Sequence, residues 1–152
     1  MSEADAVEGV LTASRALVGV AARSLVAVEN DVTLTQYRAL VLLGSRGEQN
    51  VGELARALAT HPSTATRLCD RLAAKRLITR TPSTESRREI TLKITKSGAQ
   101  LLRTVTTRRR REISGILEQL SPEQRRRVSQ AFDEFGRAAG ELPDDAWKLG
   151  WT

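Results

Sequence analysis

The sequence predicts a mainly α-helical protein that carries one two-stranded β hairpin in its central part. Apolar residues recur at helical spacing toward both ends, and several of these segments open on helix-capping residues. One segment after residue 76 instead alternates apolar and polar residues, as a half-buried strand does. The chain of 152 residues is long enough for one domain. We expect two lobes, one over residues 33–95 and a helical one formed by residues 1–32 and 96–152.

Residues 4–29 are predicted to form a long amphipathic helix. Its apolar stripe comprises Val7, Val10, Leu11, Leu17, Val18, Ala21, Leu25 and Val28. A single helix of this length needs a partner that covers the stripe.

Two shorter helices follow, and each is predicted from a capping box. Thr33 with Gln36 opens a helix through about Leu43, and Asn50 with Glu53 opens one over residues 51–59. Pro62 then suits the first position of a helix over residues 62–76. Its buried face has Ala65, Leu68, Cys69 and Leu72, and its opposite face has Ser63, Arg67, Asp70 and Ala74. Two short helices joined by a short turn form a helix-turn-helix.

A β hairpin is predicted directly after this helix. Residues 77–81 are rich in strand formers, residues 82–86 have turn chemistry, and Ile90, Leu92 and Ile94 alternate with polar residues. Arg87 and Arg88 then lie near the hairpin tip. A helix-turn-helix followed by such a hairpin is a winged helix-turn-helix.

The C-terminal third is predicted to be helical again. Thr95 caps a long helix through Leu120, and Ser121 with Pro122 opens a last helix that ends before Gly140. A tail with Trp147 and Trp151 follows. The terminal helices have more apolar face than the central lobe can cover, so we expect a homodimer through them.

Composition favours an anionic partner. The chain has 24 basic and 18 acidic residues, a net charge of +6 and a pI near 10.4. Eight basic residues but three acidic ones lie between Arg67 and Lys93, where the winged helix is predicted. Aromatic content of 3% argues against single-strand binding by base stacking.

Other classes of protein find little support. The single cysteine fits a reducing cytoplasm, and we find no signal peptide and no apolar run near the ~18 residues of a membrane span. No nucleophile–base set, glycine-rich phosphate loop or metal cluster is visible, so we predict neither an enzyme nor a cofactor.

Cys69 is interpreted as a core residue rather than an oxidant sensor. His61 is expected to cap the helix or to contact a phosphate, and Tyr37 is more often core than the wall of a ligand cleft.

These motifs resemble the MarR family of transcriptional regulators. The segment LITRTPSTESRREITLKIT (77–95) is similar to that family's wing without a gap, and residues 62–68 are similar to its recognition helix. LTQYRALVLL (34–43) and NVGELARAL (50–58) resemble its two preceding helices. The resemblance implies a cytoplasmic homodimer on a pseudo-palindromic operator in double-stranded DNA, with recognition helices in grooves ~34 Å apart. It also implies repression that a small-molecule effector relieves.

On this interpretation nine residues contact the DNA, and the sequence departs from the family pattern at two places. Phosphate contacts are expected from Ser63, Arg71, Arg80 and Lys93, major-groove contacts from Thr64, Thr66 and Arg67, and wing-tip contacts from Arg87 and Arg88, with Arg88 in the minor groove. The family wing has Asp-x-Arg where this chain has Ser86-Arg87-Arg88, so Glu85 is a candidate to orient Arg88. The family has a glycine before the first wing strand, and this chain has Arg76 at that position. We therefore expect the C-terminus of the preceding helix to be capped differently. The alternative is a winged helix that binds protein, which would present an apolar or acidic outer face.

Overall fold

The structure, a computed structural model, describes residues 1–28 and 31–149 and confirms the mainly helical fold with a β wing. Trp151 lies outside the described residues. The helices are α1 Glu3–Val26, α2 Leu34–Arg46, α3 Val51–Ala57, α4 Pro62–Ala74, α5 Lys96–Glu118 and α6 Pro122–Ala138. The strands are β1 Gln49–Asn50, β2 Ile78–Pro82 and β3 Ile90–Ile94, and a short 3-10 turn covers Asp144–Ala146.

The predicted helix starts are confirmed by their capping hydrogen bonds. The Thr33 hydroxyl accepts from the Gln36 amide at 3.1 Å, and the Gln36 side chain accepts from the Thr33 amide at 3.3 Å. Reciprocal boxes of the same kind open α3 and α6, and the Thr95 side chain caps α5. Helix ends were predicted less well, because α2 continues to Arg46 and α4 stops at Ala74.

The sheet has three strands, so the prediction of a two-stranded wing is incomplete. β3 lies in the middle, with β2 on one side and β1 on the other, all antiparallel. Gln49 pairs with Leu92 and Asn50 with Thr91. A strand of two residues has no periodicity to detect. It ties the linker between α2 and α3 to the base of the wing.

The end of α4 is capped as if a glycine were present, so the expectation of a different cap is wrong. Arg76 has a φ of +58°, in the left-handed region that favours glycine. Its amide donates to the Ala73 carbonyl at 2.9 Å, and the Leu77 amide donates to the Leu72 carbonyl at 3.0 Å. This is the Schellman arrangement. The arginine accepts the backbone strain that a glycine would avoid.

One hydrophobic core joins the winged helix to α5 and to the last turns of α1. Its largest fully buried side chains include Leu40, Leu42, Leu43, Leu54, Leu72, Leu77, Leu92 and Leu102. Cys69 and Tyr37 also belong to this core, as predicted. α5 packs against both α1 and α2, so the wing, α4 and the long helices share one packed interior.

The outer parts of α1 and most of α6 remain exposed. α6 has no buried residue, and the exposed apolar side chains of these helices and of α5 include Val7, Val10, Leu11, Val18, Ile116, Phe132 and Phe135. α1 is also long and apolar enough to cross a membrane by length and composition alone, contrary to our sequence prediction. Its residues Val20, Ala21, Ser24 and Leu25 are buried within the protein. A core helix that is apolar on several sides meets the same criterion.

Candidate nucleic-acid interface

The first turns of α4 present a polar surface to solvent. Pro62 is the first helical residue, and the imidazole of His61 caps the helix by accepting from the Ser63 amide at 3.2 Å. This confirms the capping role predicted for His61. The exposed side of the helix carries Ser63, Thr64, Arg67, Asp70 and Arg71, whereas Ala65, Cys69 and Leu72 face the core.

Two hydroxyls of this helix already have partners. The Ser63 hydroxyl lies 2.8 Å from His61 Nδ1, and the half-buried Thr66 donates its hydroxyl to the Pro62 carbonyl at 3.0 Å. Thr66 therefore offers its methyl group to a groove more readily than its hydroxyl. Such a methyl suits an apolar contact with thymine.

The wing tip is a closed turn with two arginines at its apex. The Ser83 amide donates to the Glu89 carbonyl at 2.8 Å, and the Glu89 amide donates to the Ser86 carbonyl at 3.1 Å. Arg87 and Arg88 are the two central residues of the second turn, and both are exposed. Serine suits the first position of such a turn. Ser86 stands where the family has an aspartate, and we considered Glu85 as the acid that orients Arg88 in its place. Among the described residues no ion pair joins Glu85 to Arg88, so this replacement is not found.

Two residues predicted to contact phosphates form ion pairs with acids, and the sequence did not predict these pairings. The Arg80 guanidinium on β2 pairs with the Asp70 carboxylate on α4. Lys93 on β3 lies 3.3 Å from the Glu48 carboxylate, and both side chains are more than half exposed. An exposed pair of this kind contributes at most about 1 kcal/mol. Lys93 can therefore exchange Glu48 for a phosphate at a small cost in free energy. The Arg80 pair also joins β2 to α4.

The other cations of this surface lack an acidic partner within residues 1–28 and 31–149. Arg67 and Arg71 extend from α4, and Arg87 and Arg88 from the wing tip. Uncompensated guanidinium groups on a helix and a neighbouring hairpin form a surface suited to a polyanion.

Cys69 lies beneath this surface and is fully buried. Burial raises the pKa of its thiol, and the nearby Arg80 lowers it by less. A thiol with a raised pKa is mostly protonated at neutral pH and reacts slowly. Within the part of the chain that the structure describes, no three His, Cys, Asp or Glu side chains gather to hold a metal ion.

An exposed helix with a polar and basic outer face, followed by a hairpin with arginines at its apex, defines a winged helix-turn-helix protein. Comparison with known proteins places the chain within this class. The sequence model of the MarR family matches residues 32–90. The HTH-type transcriptional repressor MdtR from Bacillus subtilis is 32% identical over 111 residues, which cover 73% of this chain and 72% of MdtR. The chain therefore belongs to the MarR family of transcriptional regulators.

Solved structures share the fold of this chain. RV1404 from Mycobacterium tuberculosis is 39% identical, with a TM-score of 0.85 over 94% of this chain and 98% of that protein. A point mutant of MepR from S. aureus, solved bound to an oligodeoxyribonucleotide, has a TM-score of 0.63 at 19% identity and covers 91% of this chain and 98% of that one. The MepR similarity is one of fold alone.

Proposed function

We propose that the protein is a homodimeric repressor that binds a pseudo-palindromic operator in double-stranded DNA in the cytoplasm. The observation that carries the proposal is the arginine set of α4 and the wing tip, Arg67, Arg71, Arg87 and Arg88, which has no acidic partner among the described residues. The name of the relative MdtR, a repressor, and the DNA-bound state of MepR support it. The polar, basic outer face of α4 does not favour the alternative of a protein-binding module.

The position of each residue on α4 or the wing determines which part of the DNA we propose it contacts. Arg67 lies one turn into α4 on its exposed side, where an arginine can bind a guanine edge with two hydrogen bonds. Thr64 and Thr66 lie on the same turns. Ser63 and Arg71 on α4, with Arg80 and Lys93 on the wing strands, would position this helix on phosphates, and Arg87 and Arg88 would reach the adjacent minor groove.

A groove between α1, α5 and α6 supports the homodimer. It has a volume of about 600 Å³ and apolar walls that include Leu17, Ile113, Ile116, Leu117, Leu120, Val128 and Phe132. We propose that a helix of a second copy fills it. Residues 1–32 and 96–152 would then form the dimerisation lobe, and residues 33–95 the DNA-binding lobe.

A second cavity supports the proposed small-molecule effector. It has a volume of about 790 Å³ and lies between α1, α2, α5 and the C-terminal segment, with Tyr37, Arg38, Arg109 and Trp147 among its lining residues. Arg109 donates to the Tyr37 hydroxyl at 3.4 Å, and its Nε is buried without a hydrogen-bond partner among the described residues. Tyr37 thus belongs to the core and also borders a cavity, the two alternatives that the sequence left open.

Selection of binding sites from a random pool of duplexes tests the proposal. The wild-type protein should select an inverted repeat. Arg67→Ala should weaken binding to that operator far more than to random duplex, by ~1–3 kcal/mol, and relax one position in each half-site. Arg88→Ala should weaken binding while it leaves major-groove preference unchanged. If Arg67→Ala selects the wild-type consensus, α4 is not the reading helix.

A further inference from the structure

The C-terminal segment 141–149 returns from α6 to the end of α2, and we call it the strap. Gly140 turns the chain, with a φ of +78° and its amide donating to the Arg137 carbonyl at 3.0 Å. The Glu141 amide donates to the Gly136 carbonyl at 3.0 Å, which completes the helix end. The strap therefore leaves α6 in a defined direction.

Two carboxylates of the strap pair with arginines of other helices. Glu141 accepts two hydrogen bonds from Arg38 of α2, at 3.0 and 2.5 Å. These hydrogen bonds hold the pKa of Glu141 below its usual range. Asp144 accepts from Arg110 of α5 at 2.5 Å. The strap is thus bound to the two helices that flank the 790 Å³ cavity.

The end of the strap closes the C-terminus of α2. The Lys148 amide donates to the Ser45 carbonyl at 3.1 Å, and the Leu149 amide donates to the Gly44 carbonyl at 3.0 Å. Carbonyls in the last turn of a helix have no partner within the helix, so the strap supplies one. Leu149 and Trp147 of the strap pack over Gly44, where an added Cβ would make ordinary contacts of 3.6 Å with them, whereas it would lie only 2.9 Å from Leu102 of α5.

Trp147 and Leu149 also bury part of their side chains against the core. The indole donates to the Leu142 carbonyl at 3.1 Å, which folds the strap on itself. α2 leads through β1 directly into α3 and α4. The strap therefore links α6, in the proposed dimerisation lobe, to the helix on which the proposed DNA-binding lobe is built.

We propose that the strap fixes the orientation of the DNA-binding lobe relative to the dimerisation lobe, so that both recognition helices of a dimer meet their half-sites together. This rests on the proposed function. The second half-site is bound intramolecularly, and its effective concentration depends on alignment of the two lobes. Each exposed ion pair of the strap is weak alone. Together with the backbone hydrogen bonds and the packing of Trp147, these ion pairs keep the strap bound to α2 and α5.

The test compares two DNA fragments, the operator that the wild-type protein selects from a random pool and the same duplex with one half-site scrambled. Glu141→Gln removes the charge that Arg38 binds, and Trp147→Ala removes the packing. Trp147→Ala should lower affinity for the full operator by about tenfold and Glu141→Gln by a smaller factor, up to about fivefold, and both should leave affinity for the half-site fragment unchanged. Glu134→Gln, at an exposed acid on α6 that makes no ion pair among the described residues, is the control with the same change of charge.

Thermal unfolding identifies a variant that fails to fold. If Trp147→Ala fails to fold, the comparison of the two DNA fragments is made with Glu141→Gln alone. Equal changes on both fragments, or changes that match Glu134→Gln, would overturn the coupling role of the strap and leave DNA binding intact. A wild-type protein that selects no sequence would instead overturn the proposed function, and the strap proposal with it.

Discussion

Gly98 lies in the first turn of α5, against the chain that leads from α4 into the wing. A Cβ built on it would lie 2.3 Å from the Leu77 carbonyl oxygen and 2.8 Å from Ile94 Cγ1. Backbone cannot move aside as a flexible side chain can. The wing and α5 therefore approach as closely as they do because residue 98 has no side chain.

Gly98→Ala should lower the free energy of unfolding by ~1–3 kcal/mol, because overpacking forces the backbone to shift. Gly115→Ala is the matched control in the same helix, since a Cβ there meets nothing within 4 Å. The control should gain up to about 1 kcal/mol from the better helix propensity of alanine. Urea unfolding of both variants measures the difference, and equal effects at the two sites would contradict the packing argument.

Cys69 is expected to act as a structural residue. Cys69→Ser should cost ~1–3 kcal/mol of stability, because a buried hydroxyl replaces a thiol without gaining a partner. Burial raises the thiol pKa, so the native thiol should alkylate more slowly at pH 7 than the same thiol in urea. Release of the wild-type protein from DNA by peroxide, with the serine variant unaffected, would show an oxidant sensor instead.

At the scale of elements, the Asp70–Arg80 pair joins the recognition helix to the wing. Asp70→Asn makes the protein more basic, so charge alone should strengthen DNA binding. We expect the opposite, a loss of about 1 kcal/mol or roughly fivefold in operator affinity, because Arg80 and β2 lose their anchor on α4. Glu85→Gln removes one negative charge from the wing, where no ion pair joins Glu85 to Arg88 among the described residues. It should leave binding unchanged or strengthen it, and the same sign for both variants would refute the anchoring role.

The elements that the sequence predicted well are those that local interactions define. Thr33, Asn50, Thr95 and Ser121 mark helix starts because a cap and its partner lie within three residues. β1 was missed because its partner, β3, lies some forty residues later and its own two residues carry no pattern. The Asp70–Arg80 pair and the contacts of residues 141–149 with α2 are tertiary in the same way. No local spacing reveals them.

At the scale of the whole molecule, the groove between α1, α5 and α6 is the apolar feature that we assign to self-association. Phe132 lines the groove and is 43% exposed in a single chain. Phe132→Asp should convert a dimer of twice 16.7 kDa into a monomer or an insoluble product. Gln130→Asp, two residues earlier on the opposite side of α6, should remain dimeric. Light scattering at micromolar concentration measures both, and a monomeric wild-type protein would remove the basis for paired half-sites.

The whole molecule also sets how binding depends on salt. A dimer that neutralises about six to ten phosphates should lose ~10³-fold or more in operator affinity between 50 and 200 mM salt.

Each phosphate contact contributes roughly one to the slope of log affinity against log salt, and a dimer carries every substitution twice. Arg71→Ala should therefore reduce the slope by about two. Arg126→Ala removes the same charge from α6, away from the α4 surface, and should leave the slope unchanged. Fluorescence anisotropy titrations at several salt concentrations give these slopes. A flat profile would argue for a partner that is not bound electrostatically. Equal changes for the two variants would show that net charge, rather than the surface of α4 and the wing, engages the DNA backbone.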